Sequence, residues 1–352
     1  MKKLLQSRLN PQVLKIIEEI TLFQEKWQHS VDVKKDFYAE LKTTTIITSA
    51  GSSTRIEGAT LSDEEIKKKL VGLKIQKIRD RDEAEVAGYI DCKKYIFDFF
   101  SELTVSEHSI RSLHQMMMNY LAEDALPFSQ RGAYKNVPNS VARIDVHQNT
   151  QEVIFETTPP GPQTETALRE LLEDYQNYIV DQNYSPLEVI AAFVVKFLAI
   201  HPFRDGNGRL SRLLTDLCLL QQGYQFCMYA SHEKIIEASK AQYYVALRQA
   251  QADLVGEPDI NPWFFYFLKV LRSQTQVLQQ YLTEPIKQAG SLTEKAAAVV
   301  ELIKQHREVT ISFLERETGF KRVTLKSILA RLKNDGVLVM EGERKASRYR
   351  LR

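Results

Sequence analysis

Twelve consecutive residues, His201-Pro202-Phe203-Arg204-Asp205-Gly206-Asn207-Gly208-Arg209-Leu210-Ser211-Arg212, bring together the parts needed to handle a polyphosphate. The His201 imidazole can accept a proton near neutral pH. Asp205 is a hard oxygen ligand suited to magnesium. Gly206 and Gly208 allow close approach of a ligand around Asn207, which offers a side-chain donor. A helix starting here would present amide groups without helical partners, an anion nest reinforced by the helix dipole. Arg209 and Arg212, three apart, project from similar sides of such a helix, and each guanidinium can fork onto phosphate oxygens. The set suits phosphoryl or nucleotidyl transfer. It is not a P-loop, because GxxxxGK[ST] does not occur. Singly, each residue has an ordinary alternative: a capping histidine, arginines in ion pairs, a glycine turn. As a cluster they favour chemistry.

The surrounding elements must hold this loop. Residues 186–200 are apolar on nearly every side, so a buried helix is expected there, delivering His201 at its end. Ser185, Pro186 and Glu188 read as its start, with a capping box. A second helix is expected from Asn207 or Gly208 to Leu220, stopped by Gly223. Upstream, helical patterns cover 11–29, 33–49, 62–79, 82–100 and 104–120, with a short element closed by Gly58 at 51–58. Between 132 and 162 the period changes, and 141–146 with 151–156 read as a hairpin around His147–Thr150.

The chain has 352 residues, 43% hydrophobic and 26% charged, enough for two or three domains. Net charge is +2, but residues 291–352 carry 14 Lys/Arg against 8 Asp/Glu, so the basic character belongs to that end. Cys92, Cys218 and Cys227 show no paired metal-ligand spacing. There is no signal-peptide pattern and no run of eighteen apolar residues, so the expectation is a cytoplasmic protein without a membrane partner. Beyond a break near 282–290, three helical patterns (293–306, 311–318, 322–334) and two short strands (337–339, 349–351) read as a winged helix-turn-helix.

The stretch His201–Arg212 matches the signature HxFx[DE]GNGRxxR throughout, and on it the chain resembles the Fic family. That resemblance implies a mainly α fold: a Fic helical core with a small β-hairpin flap, followed here by the winged helix. The expected domains are 1–100, a helical region carrying an inhibitory motif; 101–282, the catalytic core; and 291–352. Family members typically transfer AMP from ATP to a protein hydroxyl. By resemblance, His201 is the base and Asp205 holds Mg2+ between the α- and β-phosphates. Gly206, Asn207 and Gly208 cradle phosphates, and Arg209 and Arg212 orient the β- and γ-phosphates. Phe203 anchors the loop. The 141–156 hairpin resembles the flap that aligns a target segment, with Ile154 as clamp residue. Tyr244 is expected near the nucleoside and Gln251 near the base, where asparagine is common; Tyr243 and Tyr244 could equally be core.

Ser53-Thr54-Arg55-Ile56-Glu57-Gly58 resembles the family's inhibitory motif [ST]xxxE[GN]. It implies that Glu57 pairs with Arg212 in the space of the γ-phosphate, restraining transfer. Self-modification, removal of AMP with the same glutamate, and a homo-oligomer are compatible with the resemblance. In residues 291–352, Lys321–Lys326 would begin a recognition helix, with Arg344, Lys345 and Arg348 in the wing; DNA contact and protein recruitment both fit. Two functions compete: a self-restrained protein adenylyltransferase acting on a Ser, Thr or Tyr hydroxyl, and an ATP-sensing, DNA-binding transcriptional regulator.

Overall fold

A computed structural model of the chain describes residues 1, 5, 11–31, 35–72, 80–145, 150–252, 259–283, 294–334, 337–341 and 347–351. It divides into two compact units, Met1–Gln280 and Tyr281–Arg352. The first unit opens with α1 (Pro11–Val31), α2 (Lys35–Ile56), α3 (Asp63–Gly72), α4 (Arg81–Phe99) and α5 (Glu107–Met117). A hairpin follows, β1 (Ser140–Asp145) and β2 (Thr150–Glu156), then α6 (Pro162–Ile179), α7 (Pro186–Ile200), α8 (Asn207–Gln221), α9 (His232–Ala238), α10 (Lys240–Ala252) and α11 (Asn261–Thr283). No helix among the described residues is long and apolar enough to cross a membrane.

The centre of the unit is α7. Thirteen of its fifteen residues are buried, including Phe193 and Phe197, and it packs between α6 and α8. Side chains of this kind contribute about 1.5–3 kcal/mol each on full burial. The Trp263 indole, on α11, donates to the Ala191 carbonyl at 2.9 Å and locks the two helices together. Ser185 stands at the N-cap, but its side chain makes no capping hydrogen bond, so the expected capping box does not form. Pro186 still begins the helix, because its fixed φ suits the first turn.

Two boundaries differ from the sequence reading. First, α2 runs without interruption through Gly51 to Ile56, absorbing most of the separate element expected at 51–58. Its amphipathic signal is weak because Ser49, Ser52, Ser53 and Thr54 are fully buried polar residues. Gly51 is needed there, since a Cβ would meet the side chains of Arg55, Asp63 and Ile66. Arg55 fixes the helix end, reaching Glu237 of α9, Asp63 and the Leu61 carbonyl. Second, α5 begins only at Glu107, where the Ser106 hydroxyl accepts from the Ser109 amide and caps it.

The hairpin is antiparallel, with a step in register between Val141 and Ala142. Val141 faces Phe155 and Ala142 faces Val153, so Ile154 is the extra residue of a bulge. The side chain of Ile154, and the turn 146–149, lie outside the described ones.

The second unit contains α12 (Glu294–His306), β3 (Glu308–Thr310), α13 (Ile311–Thr318), α14 (Arg322–Asn334), β4 (Leu338–Glu341) and β5 (Arg348–Leu351). Its core is built on Val299, Ile303, Leu314, Leu325, Leu329 and Leu338. The sheet has three strands, ordered β3-β5-β4, one more than expected; three-residue β3 is too short to carry a period-2 signal. Arg344 and Lys345 lie outside the described residues.

Candidate active site

Helix α7 hands the chain to the glycine loop through a residue of unusual conformation. His201 has φ 51 and ψ 60, in the left-handed region that few non-glycine residues adopt, and its amide donates to the Phe197 carbonyl at 2.9 Å. The chain reverses, buries Phe203 and enters α8 at Gly206, whose φ of 78 is natural only to glycine. Asn207 staples this turn. Its Oδ1 accepts from the Phe203 amide at 2.9 Å and its Nδ2 donates to the Phe203 carbonyl at 2.7 Å. Its side chain therefore serves the loop's own shape, and what it and the glycines offer a phosphate is backbone.

His114, on α5, clamps the loop from below. Its ring lies flat on Phe203, centroids 3.9 Å apart and planes within 7°. The Gly132 amide donates to Nδ1 at 2.8 Å, which places the proton on Nε2, 3.0 Å from the Asp205 carbonyl. Burial brings this imidazole down to about 4, against a weaker opposing pull from the Asp205 carbonyl, so it is neutral at pH 7.

The His201 ring is set for base chemistry. Nδ1 lies 2.9 Å from the Leu198 carbonyl, a contact that requires the proton on Nδ1 and leaves the Nε2 lone pair free. Burial is the largest influence on its proton affinity and lowers it; the Leu198 carbonyl pulls the other way, Lys135 adds to the lowering, and Glu57 and Asp205 oppose it. Lys135 is itself fully buried and brought down to about 8 by burial. Its Nζ donates to the Ile200 carbonyl at 3.0 Å and to Asn139 Oδ1 and Thr157 Oγ1 at 2.8 Å each. Asn139 in turn donates to the Phe203 carbonyl at 2.8 Å. Both ends of the hairpin are thus tied to the catalytic loop, and β2 reaches α10 on its other side.

Four charged side chains close a ring at the mouth of α8. Arg81 Nε meets Glu85 Oε1 at 2.9 Å; Glu85 Oε2 meets Arg209 Nη1 at 2.9 Å. Arg209 Nη2 meets Asp205 Oδ1 at 3.2 Å, and Asp205 Oδ2 meets Arg81 Nη2 at 2.9 Å. Burial would raise the Asp205 carboxyl, but Arg209, the Gly206 amide and Arg81 outweigh it and hold the group below its ordinary value. One ionised, half-exposed carboxylate is a fitting protein ligand for magnesium, which keeps several waters and takes most of its remaining ligands from substrate phosphates.

Arg212 lies deeper. Its Nε donates to Ser53 Oγ at 2.8 Å, and its Nη2 donates to the Ser53 carbonyl at 2.9 Å and to Glu57 Oε1 at 2.8 Å. Burial disfavours the Arg212 charge, and Glu57, together with Tyr243 and Tyr89, more than offsets that. The Glu57 carboxylate also rests on the backbone of Gly208, where any Cβ would collide with Oε1. A carboxylate therefore already sits at the N-terminus of α8, where a helix favours an anion. Of the remaining expected residues, Tyr244 is half-buried on α10 and feels the charges of Glu57 and Arg212. Gln251 is buried two turns further along α10, and Tyr243 is core, edge-on to Trp263. Arg81, Glu85, His114, Lys135 and Asn139 escaped the sequence reading: each acts on a loop at least 60 residues away, and no local pattern marks them.

Beneath this site is a buried ionic cluster. Lys93 Nζ lies 2.5 Å from both Asp216 and Glu233, Tyr89 donates to Glu233 at 2.7 Å, and His232 stands 3.2 Å from Asp216. Asp216, His232 and Glu233 are close enough to share a metal ion, but the Lys93 ammonium already bridges the two carboxylates.

A Fic/DOC family model matches residues 104–219. The protein adenylyltransferase Fic of Drosophila grimshawi is 30% identical over 162 residues, 45% of this chain and 31% of that protein. Its counterpart from Drosophila willistoni is 30% identical over 167 residues, 46% of this chain and again 31% of the relative. The matched segment thus spans under a third of these curated relatives. A crystal structure of a Fic family protein from Desulfovibrio desulfuricans G20 superposes with a TM-score of 0.64 at 21% identity, covering 98% of this chain and 97% of that one. A Fic-domain signaling protein from Bacteroides thetaiotaomicron gives 0.59 at 22% identity over 77% of this chain. The signature loop at the mouth of α8 thus lies inside the segment that matches the Fic/DOC family model, residues 104–219, and the fold is one shared with solved Fic-domain structures.

Proposed function

We propose that this protein is an adenylyltransferase, transferring AMP from ATP to a Ser, Thr or Tyr hydroxyl of a protein, and that Glu57 restrains it. The observation that carries this reading is the His201 ring, whose Nδ1 contact with the Leu198 carbonyl leaves Nε2 free, on the loop that leads into α8 with Arg209 and Arg212. Nε2 takes the proton of the target hydroxyl as that oxygen bonds to the α-phosphorus. The bond to the β-phosphate oxygen breaks and pyrophosphate leaves. Amides at Asn207 and Gly208 and the two guanidinium groups stabilise the phosphate charge in a partly dry site, while the Gly206 amide holds Asp205 Oδ1. Asp205 would hold Mg2+, which would supply positive charge to the phosphates. By the family resemblance, Tyr244 would serve the nucleoside, Gln251 the base and Ile154 the target segment. A groove of about 530 Å³ beside the roots of the hairpin, bounded by Tyr134–Asn136, Pro160 and Gly161, supports a protein target.

Glu57 holds the place and the charge sign of a γ-phosphate against Arg212 and Gly208, so ATP binds unproductively until it leaves. The same carboxylate could position water for removal of AMP. The test uses wild type, Glu57→Gly and Glu57→Gly/His201→Ala with α-labelled ATP and magnesium. Label retained on the single variant but lost by 10²-fold or more in the double supports the reading. Equal labelling of both variants refutes the base role.

A second reading attaches to residues 281–352. The helix-strand-helix-helix-strand-strand order suits a winged helix, and Val323, 81% exposed at the start of α14, stands beside Lys321 and Lys326 as a surface for DNA. Against it, Arg322 pairs with Glu315 and Arg348 with Glu308, so two of the basic groups are spoken for within the unit. Protein recruitment is the reading we favour for this module.

A further inference from the structure

The ring Arg81–Glu85–Arg209–Asp205 has a feature that a catalytic loop does not require. Asp205 would hold the divalent cation, yet both its oxygens are engaged by guanidinium groups. Arg209 belongs to the signature helix and is only 3% exposed. Arg81 comes from the first turn of α4, 124 residues earlier in the chain, and is 57% exposed. Nothing in the loop's own geometry needs it: the turn is already held by Asn207, His114 and Asn139.

We propose that Arg81 is a placeholder for the metal ion, a positioning residue that occupies Asp205 Oδ2 until a nucleotide-bound divalent cation displaces it. The inference rests on reading Asp205 as the metal-holding carboxylate. The two Arg81 contacts are unequal in a way that suits exchange. The bond to Asp205 uses the terminal Nη2 and lies in the open, where an ion pair is weak and screened. The bond to Glu85 uses Nε, nearer the backbone, and Glu85 is only 8% exposed and anchored by Arg209. Arg81 can therefore give up Asp205 while Glu85 keeps its stem in place. Without a cation, Arg81 and Arg209 together keep Asp205 from repelling an incoming triphosphate.

Two effects of opposite sign follow. In Arg81→Ala, divalent cations bind the nucleotide complex roughly two- to fivefold more tightly, the span of an exposed ion pair. Metal-free nucleotide binds more weakly, because Asp205 is less shielded. The experiment measures free Mn2+ by electron paramagnetic resonance at saturating non-hydrolysable ATP analogue, and analogue binding in EDTA by calorimetry, on the full chain. Four proteins are compared: wild type, Arg81→Ala, Asp205→Asn and Arg204→Ala. Arg204, exposed and adjacent to Asp205 in sequence, has no ion pair among the described residues and reports the effect of charge alone. Tighter Mn2+ and weaker metal-free analogue in Arg81→Ala, with a smaller Mn2+ shift in Arg204→Ala, is the expected result. Equal Mn2+ shifts in the two arginine variants, or none in Arg81→Ala, overturn the proposal while leaving Asp205 as ligand. Unchanged Mn2+ affinity in Asp205→Asn overturns the reading on which it rests. Arg81→Ala leaves the buried Glu85–Arg209 pair intact, and an unchanged melting temperature confirms that the variant is folded.

Discussion

Removing Glu57 should make the nucleotide-free protein less stable and its nucleotide complex relatively more so. Arg212 is 3% exposed, and the carboxylate 2.8 Å away, 33% exposed, is its anionic partner. Truncation by Glu57→Ala leaves a buried guanidinium without this carboxylate, its bonds to Ser53 remaining. A fully buried pair broken on one side costs about 3–5 kcal/mol. A single charged hydrogen bond is worth about 1.5–3 kcal/mol. With one partner a third exposed, the lower figure is appropriate, and about 1–3 kcal/mol is expected. For a unit of this size that lowers the melting temperature by roughly 2–6 °C. A triphosphate then supplies the missing anion. The rise in melting temperature at saturating ATP analogue with magnesium should therefore be larger in Glu57→Ala than in wild type, since stabilisation follows the affinity gained. Differential scanning calorimetry with and without the analogue measures both effects. Unaltered stability together with an unaltered nucleotide response would refute the idea that Glu57 stands where a phosphate belongs.

Acid should weaken the fold through its buried imidazoles. His114 is held down to about 4 by burial, so as pH falls below about 6.5 the unfolded chain takes a proton that the folded chain refuses. Stability is lost as pH falls from about 6.5 towards 4, by up to about 3 kcal/mol at 1.36 kcal/mol per pH unit. Urea titrations at pH 7 and 5 should show a smaller difference for His114→Phe than for wild type. His201 is lowered as well, so the acid limb of transfer activity should lie below the ordinary histidine range. Deep in the core, Lys93→Met leaves Asp216 and Glu233 uncompensated and should cost about 3–5 kcal/mol. Adding Asp216→Asn and Glu233→Gln should recover much of that in urea unfolding; no recovery would mean that Lys93 matters for packing rather than charge.

The Fic/DOC loop was legible because its chemistry is contiguous. Spacing alone placed His201, Asp205 and the arginines around one helix start, and the apolar run 186–200 named the helix that delivers them. Glu57 was legible through a six-residue motif, since its partner belongs to the same signature. Even the Pro186–Ile200 bounds followed from local signals, proline at one end and the glycine loop at the other. Local rules failed where tertiary contacts override them. The buried Ser52, Ser53 and Thr54 of α2 gave no helical stripe, because their partners are Arg55, Arg212 and, for Thr54, the helix's own carbonyls rather than an apolar core. The Asn207 amide looked like a phosphate donor, and only the reversal of the chain at His201 showed that the Phe203 backbone claims it. Arg81, Glu85, His114 and Lys135 are ordinary residues in sequence. They matter because α4, α5 and the hairpin roots converge on one loop, and charge, burial and hydrogen bonding depend on distance in space, which sequence separation does not record.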